Sequence, residues 1–87
     1  MWFVYILECA DQSLYIGMTD NLKRRFKEHF TKKGGWYTSY KPAVKIVYSE
    51  KFPDKFKAAK REKQIKGWTR KKKLALIQGD LLLLKKL

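Results

Sequence analysis

Residues 3–29 read FVYILECADQSLYIGMTDNLKRRFKEH and contain the patterns of two strands followed by a helix. Aromatic and branched apolar residues dominate 2–9 and return at 14–18, which predicts two strands joined by a turn at 10–13. Both faces of the first strand are largely apolar, so we expect it to be covered on both sides.

Each predicted strand carries a tyrosine, and the length of the loop decides whether Tyr5 and Tyr15 share a face of the sheet. A loop of two or four residues places them on opposite faces, whereas three or five residues place them on the same face. We expect an odd loop, built as a type I turn with a bulge. Gly17 then ends the second strand at a place where backbone or substrate can approach closely.

The helix that follows begins near residues 19–21, any of which can be its N-cap. At about 100° per residue, the apolar stripe consists of Leu22, Phe26 and Phe30. Arg25 and His29 flank this stripe one turn apart, while Arg24 lies on the far side. The pattern therefore predicts that Arg25 and His29 face the sheet and that Arg24 faces solvent.

The second half of the chain predicts one more strand and two more helices. Residues 31–42 mix lysines with aromatic residues in a loop or short turn, which either stacks on bases or covers the core. Residues 43–50 predict a third strand, with Ile46 and Tyr48 alternating against Lys45 and Val47.

Helix signals delimit the rest of the chain. Pro53 and Asp54 open a helix that runs to Lys66 and stops at Gly67. Its packing arc is expected to hold Ala58, Ala59, Ile65 and Lys66. Thr69 caps a last helix ended by Gly79, in which Leu74 and Ile77 dock while residues 70–73 face out. Residues 81–84 predict a short apolar tail.

Composition limits the classes of function. The 87 residues form a single domain over 1–87, and the net charge of +13 predicts nucleic acid or an anionic membrane surface as partner, the alternative being a merely basic protein. One cysteine and one histidine argue against a disulfide or a zinc site and favour a reducing cytoplasm. Neither a membrane span nor a signal peptide is expected.

Glu62 is the candidate metal ligand. It lies between Ala58 and Ile65 on the expected packing arc and is the only acid between Asp54 and Asp80. It is either a surface glutamate that balances lysines or a carboxylate that needs a partner or a metal. One carboxylate with water and phosphate oxygens is a common way to hold Mg²⁺.

Each of the other candidate residues has a possible structural role and a possible catalytic role. Arg25 either pairs within the structure or binds a phosphate in the transition state, and His29 either packs or assists chemistry. Tyr5 and Tyr15 are either ordinary strand residues or water-activating groups. A phenol has a pKa of about 10, so the second role requires a nearby cation.

The motifs resemble the GIY-YIG endonuclease superfamily, in its short stand-alone branch. Val4-Tyr5-Ile6 stands at the first signature with valine in place of glycine, and Tyr15-Ile16-Gly17 matches the second. The helix matches as Gly17-x-Thr19-x-Asn21-Leu22-x-x-Arg25-x-x-x-His29. Trp36-Tyr37-Thr38 with Pro42, and Arg61-Glu62-x-x-Ile65-Lys66-Gly67-Trp68, match the stand-alone branch.

The resemblance implies an α/β (α+β) domain with a three-stranded antiparallel sheet flanked by helices. It implies hydrolysis of DNA phosphodiesters with one Mg²⁺ or Mn²⁺ ion on Glu62. Arg25 would stabilise the pentacovalent phosphate, Tyr5 or Tyr15 would activate water, and His29 would assist. We expect Gly17, Lys66, Lys71 and Lys72 to bind substrate, with little sequence preference, in DNA repair or recombination.

Three departures from the family pattern support rival interpretations. Met18 stands where repair nucleases often carry lysine, Ser39 where the stand-alone branch often has arginine, and residues 77–80 contain no asparagine. Gln12 also stands where relatives commonly have glycine. The first rival is a nucleic-acid-binding module with weak or absent turnover, and the second is a basic scaffold that binds RNA or protein.

Overall fold

A computed structural model describes residues 1–30 and 43–86 of the chain. Within these residues the structure has three strands and four helices. They are β1 (Trp2–Cys9), β2 (Leu14–Thr19), α1 (Leu22–Phe30), β3 (Ala43–Phe52), α2 (Lys55–Lys66), α3 (Arg70–Gln78) and α4 (Leu81–Lys86). The predicted basic and aromatic loop at 31–42 lies outside the described residues.

The β1–β2 hairpin has the odd loop that the sequence predicts. The Cys9 amide donates to the Ser13 carbonyl at 2.9 Å, and the Gln12 amide donates to the Cys9 carbonyl at 2.8 Å. Gln12 has a φ of 70°, so a type I turn is followed by one left-handed residue, the arrangement of a bulged three-residue hairpin. A side chain other than glycine costs about 1–2 kcal/mol in this conformation.

The sheet is antiparallel in the order β2-β1-β3, so β1 is central. One face, called here the helix face, carries Val4, Ile6 and Ile16, which pack against Ala58 and Ile65 of α2. The other face, called here the tyrosine face, carries Tyr5, Leu7 and Tyr15, which pack against Leu22 and Phe26 of α1. The expected cover on both sides of β1 is confirmed.

A bulge in β3 changes the predicted alternation. Leu7 pairs with Ile46 and Ile6 pairs with Tyr48, so Val47 is an extra residue between the two pairs. Ile46 therefore packs on the tyrosine face, whereas Val47 and Tyr48 pack on the helix face. The prediction that Ile46 and Tyr48 share a face against Val47 is wrong because an inserted residue shifts the two-residue period.

The helix boundaries follow local capping chemistry. The Asn21 side chain accepts from the Arg24 amide at 3.0 Å, which selects Asn21 among the three N-cap candidates. Asp54 caps α2 and Thr69 caps α3 as predicted. Gly79 ends α3 with a φ of 72°, whereas Gly67 ends α2 in a right-handed conformation with a φ of −80°.

Three details differ from the sequence prediction. Ala59 and Lys66 are exposed, so the buried line of α2 consists of Ala58 and Ile65. In α3 the buried residues are Ala75 and Leu76, while Lys72 and Lys73 of the outward group are half-buried. The predicted tail at 81–84 is part of α4, because the Asp80 carboxylate caps it by accepting from the Leu83 amide at 3.0 Å.

No helix in the described part of the chain is long and apolar enough to cross a membrane.

Candidate active site

The hairpin register brings the two phenols together. Tyr5 pairs with Gly17 and Leu7 pairs with Tyr15, so both tyrosines lie on the tyrosine face. Their ring centroids are 6.5 Å apart, with an angle of 39° between the ring planes. The predicted shared face is therefore confirmed.

Gly17 makes room for the Tyr5 phenol. A Cβ atom at Gly17 would lie 2.6 Å from Tyr5 Cζ and closer still to Tyr5 Oη. Real structures do not contain such contacts, so only glycine permits this position of the ring. The phenol thus lies directly over β2, which is an edge strand of the sheet. Gly17 does not end β2, which continues to Thr19, and the close approach at Gly17 is that of the Tyr5 side chain, not of backbone or substrate.

Arg25 joins this cluster from α1. Its Nε donates to Tyr5 Oη at 3.2 Å, and Arg25 is half-buried whereas Arg24 is exposed and pairs with Asp20 at 2.7 Å. The hydrogen bond to Tyr5 raises the pKa of Arg25 above its ordinary value, and Tyr15 adds to this effect. The guanidinium therefore stays charged and is held by the tyrosine cluster.

The two phenols differ in burial. Tyr5 is 1% exposed, and this burial raises its pKa above the ordinary value, although the Arg25 hydrogen bond opposes the shift. Tyr15 is only half-buried. A group that takes a proton from water must be accessible to water. Tyr15 meets this requirement, whereas Tyr5 is buried and accepts a hydrogen bond from Arg25.

Glu62 lies on α2, which packs on the helix face of the sheet. On α2 it lies on one side of the Ala58–Ile65 line, and Arg61 lies on the other, bonded to Glu50 of β3. Since β3 and β2 are the two edges of the sheet, the flank that carries Glu62 faces β2.

The charge on Glu62 acts on the tyrosine cluster. Burial dominates the raised pKa of Tyr5, and the Glu62 carboxylate contributes to it. The Glu62 side chain is 21% exposed, and Lys66 Nζ is 3.6 Å away. Glu62 is therefore a half-buried acid next to a lysine.

The described residues offer few ligands for a divalent cation. Residues 1–30 and 43–86 contain no group of three histidine, cysteine or acidic side chains, so they offer no multidentate protein cage. Glu62 is a partly exposed carboxylate next to a flexible lysine, and an exposed ion pair contributes only about 0–1 kcal/mol. One accessible carboxylate fits Mg²⁺, which keeps several water ligands and takes phosphate oxygens as others.

An open cavity adjoins Arg25 at the end of β2. Its volume is about 290 Å³, and its walls are Trp2, Met18, Thr19, Asp20, Arg24 and Arg25. Arg24 pairs with Asp20. Arg25, in contrast, is bonded to the tyrosine cluster.

The remaining predicted residues are not all brought together. His29 belongs to α1 by its backbone, but its side chain lies outside the described residues. Lys66 lies beside Glu62, and Lys71 is exposed. Lys72 Nζ lies 4.5 Å from the centre of the Trp68 ring, not in the tyrosine cluster.

A polar network that the sequence interpretation missed ties α2 to β3. Arg61 donates to both Glu50 oxygens at 3.0 Å and to Gln64 Oε1 at 2.7 Å, and Tyr48 Oη donates to Glu50. The signal in the sequence was Glu50, an acid at the end of a predicted strand in a strongly basic chain.

Comparisons with known proteins agree with this geometry. The family model of the GIY-YIG catalytic domain matches residues 1–75. A UPF0213 protein of Clostridium perfringens is 49% identical over 79 residues, covering 91% of this chain and 85% of the relative. A UPF0213 protein of Natronomonas pharaonis is 43% identical, covering 90% and 92%.

A solved structure shows the same fold. The solution NMR structure of a UPF0213 protein from Bacillus halodurans has a TM-score of 0.58 and 39% identity, and the match covers 90% of this chain and 84% of that one. With its sheet, its two signature tyrosines and its family-model match over 75 residues, this chain belongs to the GIY-YIG family, as a short member similar to the UPF0213 proteins.

Proposed function

We propose that this protein is a divalent-metal-dependent endonuclease that hydrolyses phosphodiester bonds in DNA, in repair or recombination. Membership in a family of nuclease-type catalytic domains supports the reaction class. The observation that carries the proposal is the convergence of Tyr5, Tyr15 and Arg25 on one face of the sheet.

Each residue has a distinct role in this proposal. Arg25, anchored by Tyr5, binds the scissile phosphate and balances the charge that develops in the transition state. In its phenolate form Tyr15 takes a proton from the attacking water, whose oxygen forms the new bond to phosphorus while the bond to the leaving oxygen breaks. The leaving oxygen takes a proton from solvent. His29 follows Arg25 by one turn and assists this proton transfer.

Glu62 is the proposed metal ligand in this scheme. It would hold Mg²⁺ or Mn²⁺, whose chemistry is to polarise the phosphoryl oxygens and to lower the pKa of a bound water. Lys66 would move from Glu62 to a phosphate of the substrate, and Lys71 would bind the backbone without reading sequence.

The direct test uses supercoiled plasmid with Mg²⁺ or Mn²⁺. Glu62→Ala should abolish nicking, because the variant has no carboxylate for the metal. Glu8→Ala should still nick, since Glu8 is also a half-buried glutamate but lies at the far end of β1. With about six phosphate contacts, log affinity should fall with log salt at a slope of about −5 in wild type and in Glu62→Ala alike.

Two outcomes would contradict the proposal. Equal nicking by wild type and Glu62→Ala would remove Glu62 from the reaction. Tight, salt-sensitive binding without cleavage under either metal would instead identify a nucleic-acid-binding module.

A further inference from the structure

A second cationic surface lies on the flank of α2 opposite Glu62. Lys57, Lys60, Arg61 and Gln64 recur at the i, i+3, i+4, i+7 spacing of a single helix face. With Phe52 at the end of β3 they line a groove of about 460 Å³. This volume lies within the range of about 300–1,000 Å³ that is typical of ligand sites.

The groove combines an apolar lining with unbalanced charge. Its apolar surface comes from the Phe52 ring and from the aliphatic stems of Lys57 and Lys60. The Arg61 charge is taken by Glu50. Among residues 1–30 and 43–86, no carboxylate pairs with the ammonium of Lys57 or Lys60. Two positive charges therefore remain for a ligand.

An aromatic ring continues this surface at the end of α2, where Arg61 lies 5.1 Å from the centre of the Trp68 ring. Phe56, one turn before Lys60, is 80% exposed. Rings that alternate with cations along a groove are the usual design of single-strand binding surfaces.

We infer that this groove binds a single-stranded segment of nucleic acid. The bases stack on Phe52 and on the neighbouring rings, and Lys57 and Lys60 contact the phosphates. A rigid duplex keeps its bases stacked on one another and cannot use the rings, and an acidic peptide has no flat group to place on them. Because Glu62 lies on the other side of the buried line of α2, this binding requires neither the carboxylate nor a metal.

The charge part of the inference is tested with fluorescein-labelled oligo(dT) in EDTA, by anisotropy over a series of salt concentrations. Lys57→Gln with Lys60→Gln should reduce the salt slope of log affinity by about 1.4, since each single-strand phosphate contact contributes about 0.7. The matched control is Lys85→Gln with Lys86→Gln, which removes the same charge from exposed positions of α4 and should leave the slope unchanged.

The stacking part is tested by keeping or removing the ring at position 52. Phe52→Leu should weaken oligo(dT) binding at least about fivefold, the lower end of one base–aromatic stack, while Phe52→Tyr should bind like wild type. Binding of a blunt DNA duplex should not distinguish the two variants. Thermal melts of both check that the core, which Phe52 also contacts, is intact.

Three results would overturn the inference. If the salt slope of log affinity fell equally in the groove variant and in the α4 control, net charge alone would explain the binding. Equal loss of duplex and oligo(dT) binding in Phe52→Leu would make the ring structural. Displacement of oligo(dT) by polyglutamate with the same dependence on Phe52 would identify an acidic peptide as the occupant.

Discussion

The position of Arg25 depends on Tyr5, and the position of Tyr5 depends on Gly17. The missing side chain at Gly17 lets the Tyr5 phenol lie over β2, and that phenol accepts the hydrogen bond from Arg25 Nε. The orientation of the guanidinium therefore depends on a residue that does not touch it. This dependence explains why a glycine is needed in the middle of a strand, where glycine is normally unfavourable.

Gly17→Ala should destabilise the fold by about 1–3 kcal/mol, the usual cost of forcing extra atoms into a packed site. It should also reduce cleavage, because Tyr5 must move. Urea unfolding and plasmid nicking measure the two effects. Gly67→Ala is the matched control. Gly67 has a right-handed conformation and its new Cβ would lie 3.5 Å from the Gln64 carbonyl oxygen, an ordinary contact, so stability should be unchanged or higher. Equal stability of the two variants would refute the steric argument.

The two tyrosines should respond differently to loss of their hydroxyls. Tyr15→Phe should abolish cleavage, since it removes the accessible phenol. Arg25→Ala should lose the full transition-state stabilisation by this residue, about 3–4 kcal/mol. Tyr5→Phe should lose only part of it and should therefore retain some cleavage. Single-turnover rates compare the variants, and a Tyr5→Phe enzyme less active than Tyr15→Phe would reverse the two assignments.

At the scale of elements, the sequence predicted best what depends on local chemistry. The odd hairpin loop, the caps at Asp54, Thr69 and Gly79, and the inward position of Arg25 all follow from turn geometry and helical period, and the structure confirms them. These features are set by residues that are close in sequence, so a single chain contains the information needed to predict them.

Features that depend on distant contacts were not predictable in the same way. The extra residue Val47 is visible only in the pairing of β3 with β1. The burial of Ala75 and Leu76 depends on how α3 meets the core. Glu50 was overlooked because its partner Arg61 is eleven residues away on another element. Glu62 was singled out by its place on the expected packing arc, but the edge strand that its flank of α2 faces depends on how that helix packs.

The Glu50 network should matter more to stability than an exposed ion pair. Glu50→Ala leaves half-buried Arg61 and Tyr48 without their shared acceptor, which costs about 1–3 kcal/mol. Asp20→Ala breaks a pair whose side chains are 58% and 52% exposed and should cost about 0–1 kcal/mol. Chemical denaturation of both variants provides the comparison. Similar losses would show that the network does not fasten α2 to β3.

At the scale of the molecule, α2 separates two proposed functions. Its flank towards β2 carries Glu62, the proposed metal ligand, and its flank towards β3 carries the groove with Lys57 and Lys60. A chain with a net charge of +13 can therefore hold nucleic acid at a place where it does not cut. The two activities should be separable by mutation.

Global stability should fall at alkaline pH. Burial and the hydrogen bond with Glu50 raise the pKa of Tyr48 from 10.0 to about 12. Between these values the unfolded chain releases a proton that the folded chain retains, so the free energy of unfolding decreases as pH rises. Tyr48→Phe should reduce this slope, measured by urea unfolding between pH 9 and pH 11.5. If the pH dependence of the free energy of unfolding were unchanged in Tyr48→Phe, other groups such as Tyr5 would cause the loss of stability.

The close contact between Tyr5 and Gly17 also limits how relatives of this protein can diverge. A relative that acquires a side chain at the equivalent of Gly17 must replace the tyrosine at the equivalent of Tyr5 with a smaller residue, so the two sites should mutate as a pair. Such a relative would no longer hold its arginine in the same way. In genome surveys, that double replacement would mark homologues that have kept the fold after losing the reaction.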